Sequence, residues 1–241
     1  MTEKLSTTLR EQTIEANLHF INDRIAAAAA KSGRTRADVR LMAVTKTVEP
    51  LFINHAIACG VDLIGENKVQ EFLGKQPFLN LEGVEAHLIG HLQTNKVRQI
   101  LPHVSMIQSV DSLKLAKEID KQCEKIDKTM PCLIEVNIAN EESKTGLPQE
   151  ELEALLEEMS RMEHVRVDGL MTIPPICEEK EKLCDYFYKM HEMFVDIGRK
   201  KIDNINMQIL SMGMSSDYAE AIECGATLVR VGSSIFGPRL Y

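Results

Sequence analysis

The sequence predicts an α/β protein, a single (β/α)8 barrel with an extra N-terminal helix, and three observations carry that expectation. Eight short apolar runs alternate with longer amphipathic stretches from Leu41 onward. The runs are continuously apolar, as in parallel strands buried on both faces, rather than alternating as in strands with one wet face. The chain has 241 residues and no break in composition, so residues 1–241 fit one domain of barrel size.

The N-terminal segment spaces Ile14, Leu18, Ile21 and Ile25 by four, three and four residues and continues into an alanine run, Ala26 to Ala30. That is helical periodicity filled with strong helix formers, and Gly33 ends it. The eight strand candidates are Leu41–Val44, Val61–Ile64, Ala86–Ile89, Val104–Val110, Cys132–Val136, Val165–Met171, Met207–Leu210 and Thr227–Val231. Helices are expected between them at Glu49–Cys59, Gln93–Leu101, Ser112–Lys125, Gln149–Met162, Lys180–Lys200 and Ser216–Cys224. A doubly wound open sheet is the alternative, but no Gly-x-Gly-x-x-Gly follows an early strand.

Composition narrows the function. The chain is 44% hydrophobic and 27% charged, as in an ordinary globular protein. No apolar stretch reaches membrane-spanning length and the polar start is unlike a signal peptide, so a cytoplasmic protein is expected. A net charge of -8 without a Lys/Arg cluster argues against nucleic acid or an anionic membrane as partner. The six cysteines are scattered, with no Cys-x-x-Cys pair, which reads as reduced structural thiols. A small ligand is the expected partner, and no metal site is expected.

Lys46 stands at the end of the first strand candidate, in Leu41-Met-Ala-Val-Thr-Lys46. The C-terminal strand ends form the active face of such barrels, and a partly buried amine there loses basicity and becomes a nucleophile toward an aldehyde. A lysine that merely snorkels from a strand end is the plainer alternative. After the last two strands come Leu210-Ser-Met-Gly-Met-Ser215 and Val229-Arg-Val-Gly-Ser-Ser234-Ile-Phe-Gly237. Gly213 and Gly232 allow close backbone approach, while Ser215 and Ser233 add hydroxyls, together forming a phosphate cup where barrels often have one. Turn-forming glycines and serines explain either loop alone, and Asp217 would oppose an anion unless it faces away.

Arg230 is placed to reach into the mouth. Asn67, in Ile64-Gly-Glu-Asn67-Lys-Val-Gln-Glu71, can hydrogen-bond a ring hydroxyl, and Glu66, Gln70, His87, Gln93 and Asn95 are candidates for the surrounding polar shell. His87 and His91 are four apart on a strand and loop, which does not set them on one face, so they do not suggest zinc.

Taken in order, these segments, together with His87-Leu-Ile-Gly-His91-Leu-Gln-Thr-Asn95-Lys96 and Val167-Asp-Gly-Leu-Met171, resemble the successive motifs of the pyridoxal 5'-phosphate (PLP) homeostasis protein family, the YggS and proline synthetase co-transcribed homologue group. The resemblance runs from about Leu41 to Gly237. It implies the fold of the alanine racemase N-terminal domain, PLP held as a Schiff base on Lys46, Arg230 facing the pyridine nitrogen, and Ser215, Gly232 and Ser233 on the phosphate. An arginine there keeps that nitrogen unprotonated and the ring a poor electron sink. Ser233 stands where the family commonly has threonine, and His91 where proline or a small residue is common.

Three functions are compatible with these residues. A non-catalytic PLP carrier, handing the cofactor to PLP-dependent apoenzymes, is what the resemblance implies. A PLP-dependent amino-acid racemase would need a second acid/base opposite the lysine, and Tyr186, Tyr188 and Tyr218 fall in helical segments while Tyr241 is terminal. A Schiff-base aldolase would use the lysine and phosphate cup but gives Arg230 no role.

Overall fold

The computed structural model describes residues 2–141 and 145–238. Its elements run α1 (Thr2–Lys31), β1 (Arg40–Val44), α2 (Pro50–Ala58), β2 (Leu63–Glu66), α3 (Val69–Lys75), β3 (Glu85–Leu88), α4 (Val97–Ile100), β4 (Met106–Val110) and α5 (Leu113–Glu124). There follow β5 (Met130–Asn137), β6 (Leu147–Pro148), α6 (Leu152–Met159), β7 (Val165–Met171), α7 (Lys180–Lys200), β8 (Ile205–Ser211), α8 (Tyr218–Glu223), β9 (Leu228–Val231) and α9 (Ser233–Phe236).

Strands β1, β2, β3, β4, β5, β7, β8 and β9 pair in that order, all parallel, and β9 returns to β1, closing an eight-stranded barrel. The two-residue β6 pairs only with β5, outside the ring. The expected barrel is therefore present.

Strand alternation divides the interior in two. In β1, Leu41 and Ala43 join the layer between strands and helices, while Met42 and Val44 point into the lumen. The same alternation sends Leu133 of β5 and Leu228 of β9 inward and their neighbours Ile134 and Val229 outward.

Besides the short β6 and α9, which are additional to the expected elements, two elements differ from expectation. Helix α3 lies where none is predicted, because its seven residues include Gly74 and run directly into Pro77, leaving too short a stretch for a 3.6-residue period to stand out. The helix expected at residues 93–101 splits into a 3-10 turn, Thr94–Lys96, and the four-residue α4.

The N-terminal helix is structurally part of the barrel. Its stripe of Ile14, Leu18, Ile21 and Ile25 is at most 4% exposed and packs toward α2, α8 and α9. Each such buried side chain contributes about 1.5–3 kcal/mol. Because α9 has only four residues, α1 fills the place of the helix that would follow the last strand. Asn17 ties it down, its Nδ2 donating to the Ile235 carbonyl at 3.0 Å.

Candidate functional site at the barrel mouth

A cavity of about 420 Å³ opens at the C-terminal strand ends, and Lys46, Asn67, Ser215, Arg230, Gly232 and Ser233 all line it. The six residues expected to form the site come from four strand-and-loop units, those of β1, β2, β8 and β9, and the closed barrel brings them together.

Lys46 follows β1, and both of its neighbours are pinned. The Thr45 amide donates to the Gly65 carbonyl at 3.0 Å and its hydroxyl to Glu66 Oε1 at 3.0 Å. Thr47 has φ +62°, a costly conformation for a β-branched residue. Its amide donates to Glu71 Oε1 at 2.5 Å, which helps to hold it there. Lys75 completes the clamp, donating to the Thr45 carbonyl at 2.8 Å, Glu66 Oε1 at 2.8 Å and Glu71 Oε1 at 2.5 Å. Burial raises the Glu66 pKa despite this contact. At Glu71 burial acts in the same sense, but hydrogen bonds from Lys75 and Thr47 outweigh it and lower the pKa.

Arg230 lies on β9, pointing inward and 3% exposed. Burial lowers its pKa to about 10, opposed by the carboxylates of Glu135 and Asp217, so it remains a cation at neutral pH. Nη1 donates to Ser211 Oγ at 2.7 Å and Nη2 to the Thr172 carbonyl at 2.8 Å. Glu135, also buried, has its pKa raised by burial and accepts from the Thr145 hydroxyl at 2.5 Å.

The loops after β8 and β9 form a cup. Gly213 has φ +90°, which lets the first loop turn back over α8, and a Cβ there would meet Ala221 Cβ at 2.5 Å. Ser215 Oγ accepts from the amides of Gly232 at 3.2 Å and Ser234 at 3.3 Å, leaving its hydroxyl hydrogen to donate. Asp217 does not line the cavity. Its Oδ1 accepts from the Met214 amide at 2.6 Å, and burial raises its pKa.

The expected polar shell is not at the cavity. Gln70, Gln93 and Asn95 are exposed and do not line it, because the residues after β2 and β3 turn into α3 and the 3-10 turn. Glu66 is 2% exposed beneath Lys75, and His87 is 1% exposed within the lumen. His91 is exposed and pairs with Asp111 at 3.1 Å. The sequence reading missed Arg10, which lines the cavity with its guanidinium 3.9 Å over the Phe52 ring. The signal was present, since Arg10 precedes Ile14 by four residues on the buried stripe of α1.

Residues 16–239 match the family model of the alanine racemase N-terminal domain. A pyridoxal phosphate homeostasis protein of Aquifex aeolicus is 42% identical over 224 residues, covering 93% of this chain and 97% of the relative. Among solved structures, an unknown protein from Bifidobacterium adolescentis superposes with a TM-score of 0.90 at 34% identity, covering 94% of this chain and 96% of that one. PipY of Synechococcus elongatus, solved with PLP bound, has a TM-score of 0.80 at 32% identity, covering 90% and 100%. On these matches, over nearly its whole length, the chain belongs to the family of pyridoxal phosphate homeostasis proteins.

Proposed function

We propose that this chain binds PLP at the barrel mouth and works in intracellular PLP homeostasis, as a single-domain cytoplasmic carrier or buffer that hands the cofactor to PLP-dependent apoenzymes. The observation that carries the reading is the convergence of an amine, a buried cation and an amide-lined cup on one cavity of about 420 Å³. The name of the Aquifex relative and the PLP bound by PipY support it. Among the described residues no helix is long and apolar enough to cross a membrane.

The residues fit the cofactor. Asn67 Oδ1 is buried without a hydrogen-bond partner among the described residues, ready to accept from a ring hydroxyl. A Cβ at Gly232 would approach the Val44 carbonyl oxygen at 3.2 Å, so glycine keeps the cup wall open. When bound, PLP supplies an aldehyde for attachment to an amine and a conjugated ring able to take up electrons. Lys46 is the amine that holds it covalently. Arg230 sets a permanent positive charge opposite the ring nitrogen and disfavours a proton there. Ser215 and Ser233 take the phosphate with hydroxyl and amide donors at the start of α9, and Gly232, whose amide holds Ser215 Oγ, lets the backbone approach it closely.

The same residues argue against turnover. Racemisation needs a second acid/base across from the lysine. Among the described residues no tyrosine or cysteine lines the cavity. Tyr218 is buried beneath Arg24, whose guanidinium lies 5.2 Å from its ring centroid, and Tyr188 is exposed on α7. Tyr241 lies outside the described residues.

The visible spectrum of the purified protein with PLP, followed by borohydride reduction and intact-mass analysis, tests binding. One PLP adduct on Lys46 is expected. Deuterium exchange at the α-carbon of a panel of L- and D-amino acids tests the absence of turnover, and rates near about 1 per second, typical of enzymes, would make the protein a racemase instead.

A further inference from the structure

A file of hydrogen-bonded polar side chains runs through the lumen from the mouth to the opposite end of the barrel. Arg230 Nη1 donates to Ser211 Oγ at 2.7 Å, and Ser211 Oγ donates to Gln108 Oε1 at 2.7 Å. Gln108 Nε2 stands 2.9 Å from His87 Nδ1, and His87 Nε2 stands 3.2 Å from Glu85 Oε2. Glu85 in turn pairs with Arg40 at 3.0 Å, at the first residue of β1. Met42, Val44, Leu63, Ile89 and Leu228 pack as one apolar group of the lumen, and Met106, Leu133 and Met171 as another.

The direction of the chain is set by its far end, the Glu85 carboxylate. A guanidinium only donates and a carboxylate only accepts. Ser211 must therefore accept from Arg230, leaving its one hydrogen for Gln108 Oε1. The Gln108 amide then turns its NH2 toward His87, whose Nδ1 must carry a lone pair, so the ring hydrogen sits on Nε2 and points at Glu85. Inverting Gln108 would give Ser211 two donors and require a hydrogen on His87 Nδ1. A neutral ring would then aim its Nε2 lone pair at the Glu85 carboxylate. The inverted state thus needs a charged His87 in a site 1% exposed.

We propose that Ser211, Gln108 and His87 are positioning residues for Arg230, a one-directional hydrogen-bond chain that fixes how its guanidinium is presented to the cavity. The proposal deepens the PLP reading, since Arg230 is there the partner of the ring nitrogen. Its first half, the polarity of the chain, holds with or without a ligand. Satisfied networks in a dry interior specify one arrangement, whereas a gap leaves its neighbours unpaired.

Nitrogen NMR of the protein without PLP reads the polarity directly. The expected signature is a neutral His87 ring bearing its hydrogen on Nε2. Gln108→Leu, which removes the donor facing Nδ1, is expected to move the Nδ1 signal while the hydrogen stays on Nε2. Wild-type His87 protonated at Nδ1, or an Nδ1 signal unchanged in the Gln108→Leu variant, overturns the chain even if PLP binds.

The second arm uses PLP. Gln108→Leu and Ser211→Ala are expected to weaken PLP binding roughly tenfold, the scale of one hydrogen bond to a charged group, and to shift the pH at which the bound cofactor's absorbance changes. Ser211→Thr, which keeps the hydroxyl, is expected to restore both. If Ser211→Ala and Ser211→Thr behave alike, or if Gln108→Leu binds PLP with wild-type affinity and pH profile, the positioning role is wrong. Failure of the wild-type protein to bind PLP at all would instead count against the function proposed above, while the NMR result would still decide the chain.

Discussion

The lumen of the barrel and the layer between its strands and helices are buried alike but filled differently. The outer layer is one continuous apolar cluster from Ile14 to Phe236. The lumen holds two small apolar groups and a file of Arg230, Ser211, Gln108 and His87. Because side chains alternate along a strand, residues one position apart serve the two regions, as Arg230 and Val231 do on β9. A one-residue register slip would exchange their contents, so the outer layer that stabilises the fold also aims the polar residues inward.

The largest expected effect lies at the mouth. Lys46→Ala is expected to abolish the borohydride-fixed adduct while leaving measurable non-covalent PLP affinity, because Arg230 and the cup remain; intact mass and equilibrium titration read the two separately. An adduct that persists on another lysine removes the assignment. Next comes the phosphate. Pyridoxal is expected to bind far more weakly than PLP, having lost two or three charge-assisted hydrogen bonds at about 1.5–3 kcal/mol each. Equal titration curves for the two would leave Ser215, Gly232 and Ser233 without that role.

In the outer layer the effect is on stability alone. Phe187→Ala, at a fully buried site on α7, is expected to cost about 3–5 kcal/mol in denaturant unfolding. The folded fraction is expected to take up PLP as before, and impaired uptake by that fraction would break the division between layer and lumen.

The smallest effect is a pH dependence. Burial, partly offset by Glu85, lowers the His87 pKa below its ordinary value of 6.5. The unfolded chain therefore binds this proton first. Stability from this group is fully present above about pH 6.5 and is lost as pH falls toward the folded value, at up to about 1.4 kcal/mol per pH unit. His87→Gln is expected to flatten that part of a stability-against-pH curve; an unchanged slope would show that His87 does not titrate as its burial requires.

The outer layer was largely legible in the sequence, because apolar periodicity records which face each element buries. The eight strand runs and the Ile14–Ile25 stripe are examples. Lys46, Gly232 and Ser233 were legible because a lysine or a Gly-Ser turn directly after a strand is a local pattern. The Lys75 clamp was not, since α3 carries too few residues for a period and its partner Thr45 lies 30 positions away. Gln70, Gln93 and Asn95 misled for the converse reason: their sequence distance from strand ends said nothing about which way the following turns lead. The lumen chain joins residues up to 103 positions apart, and pairing at that range follows from barrel closure rather than from any local signal.

Helix α1 carries a consequence for how the molecule is made. Its apolar stripe is completed by α8 and α9, nearly the whole chain later. During translation it is made well before α8 and α9, so its contacts with those two helices are among the last to form. A circular permutant that begins at Ser32 and carries α1 behind the last strand would restore strand-then-helix order at the seam. Such a chain would fold with its covering helix made when its docking surface already exists.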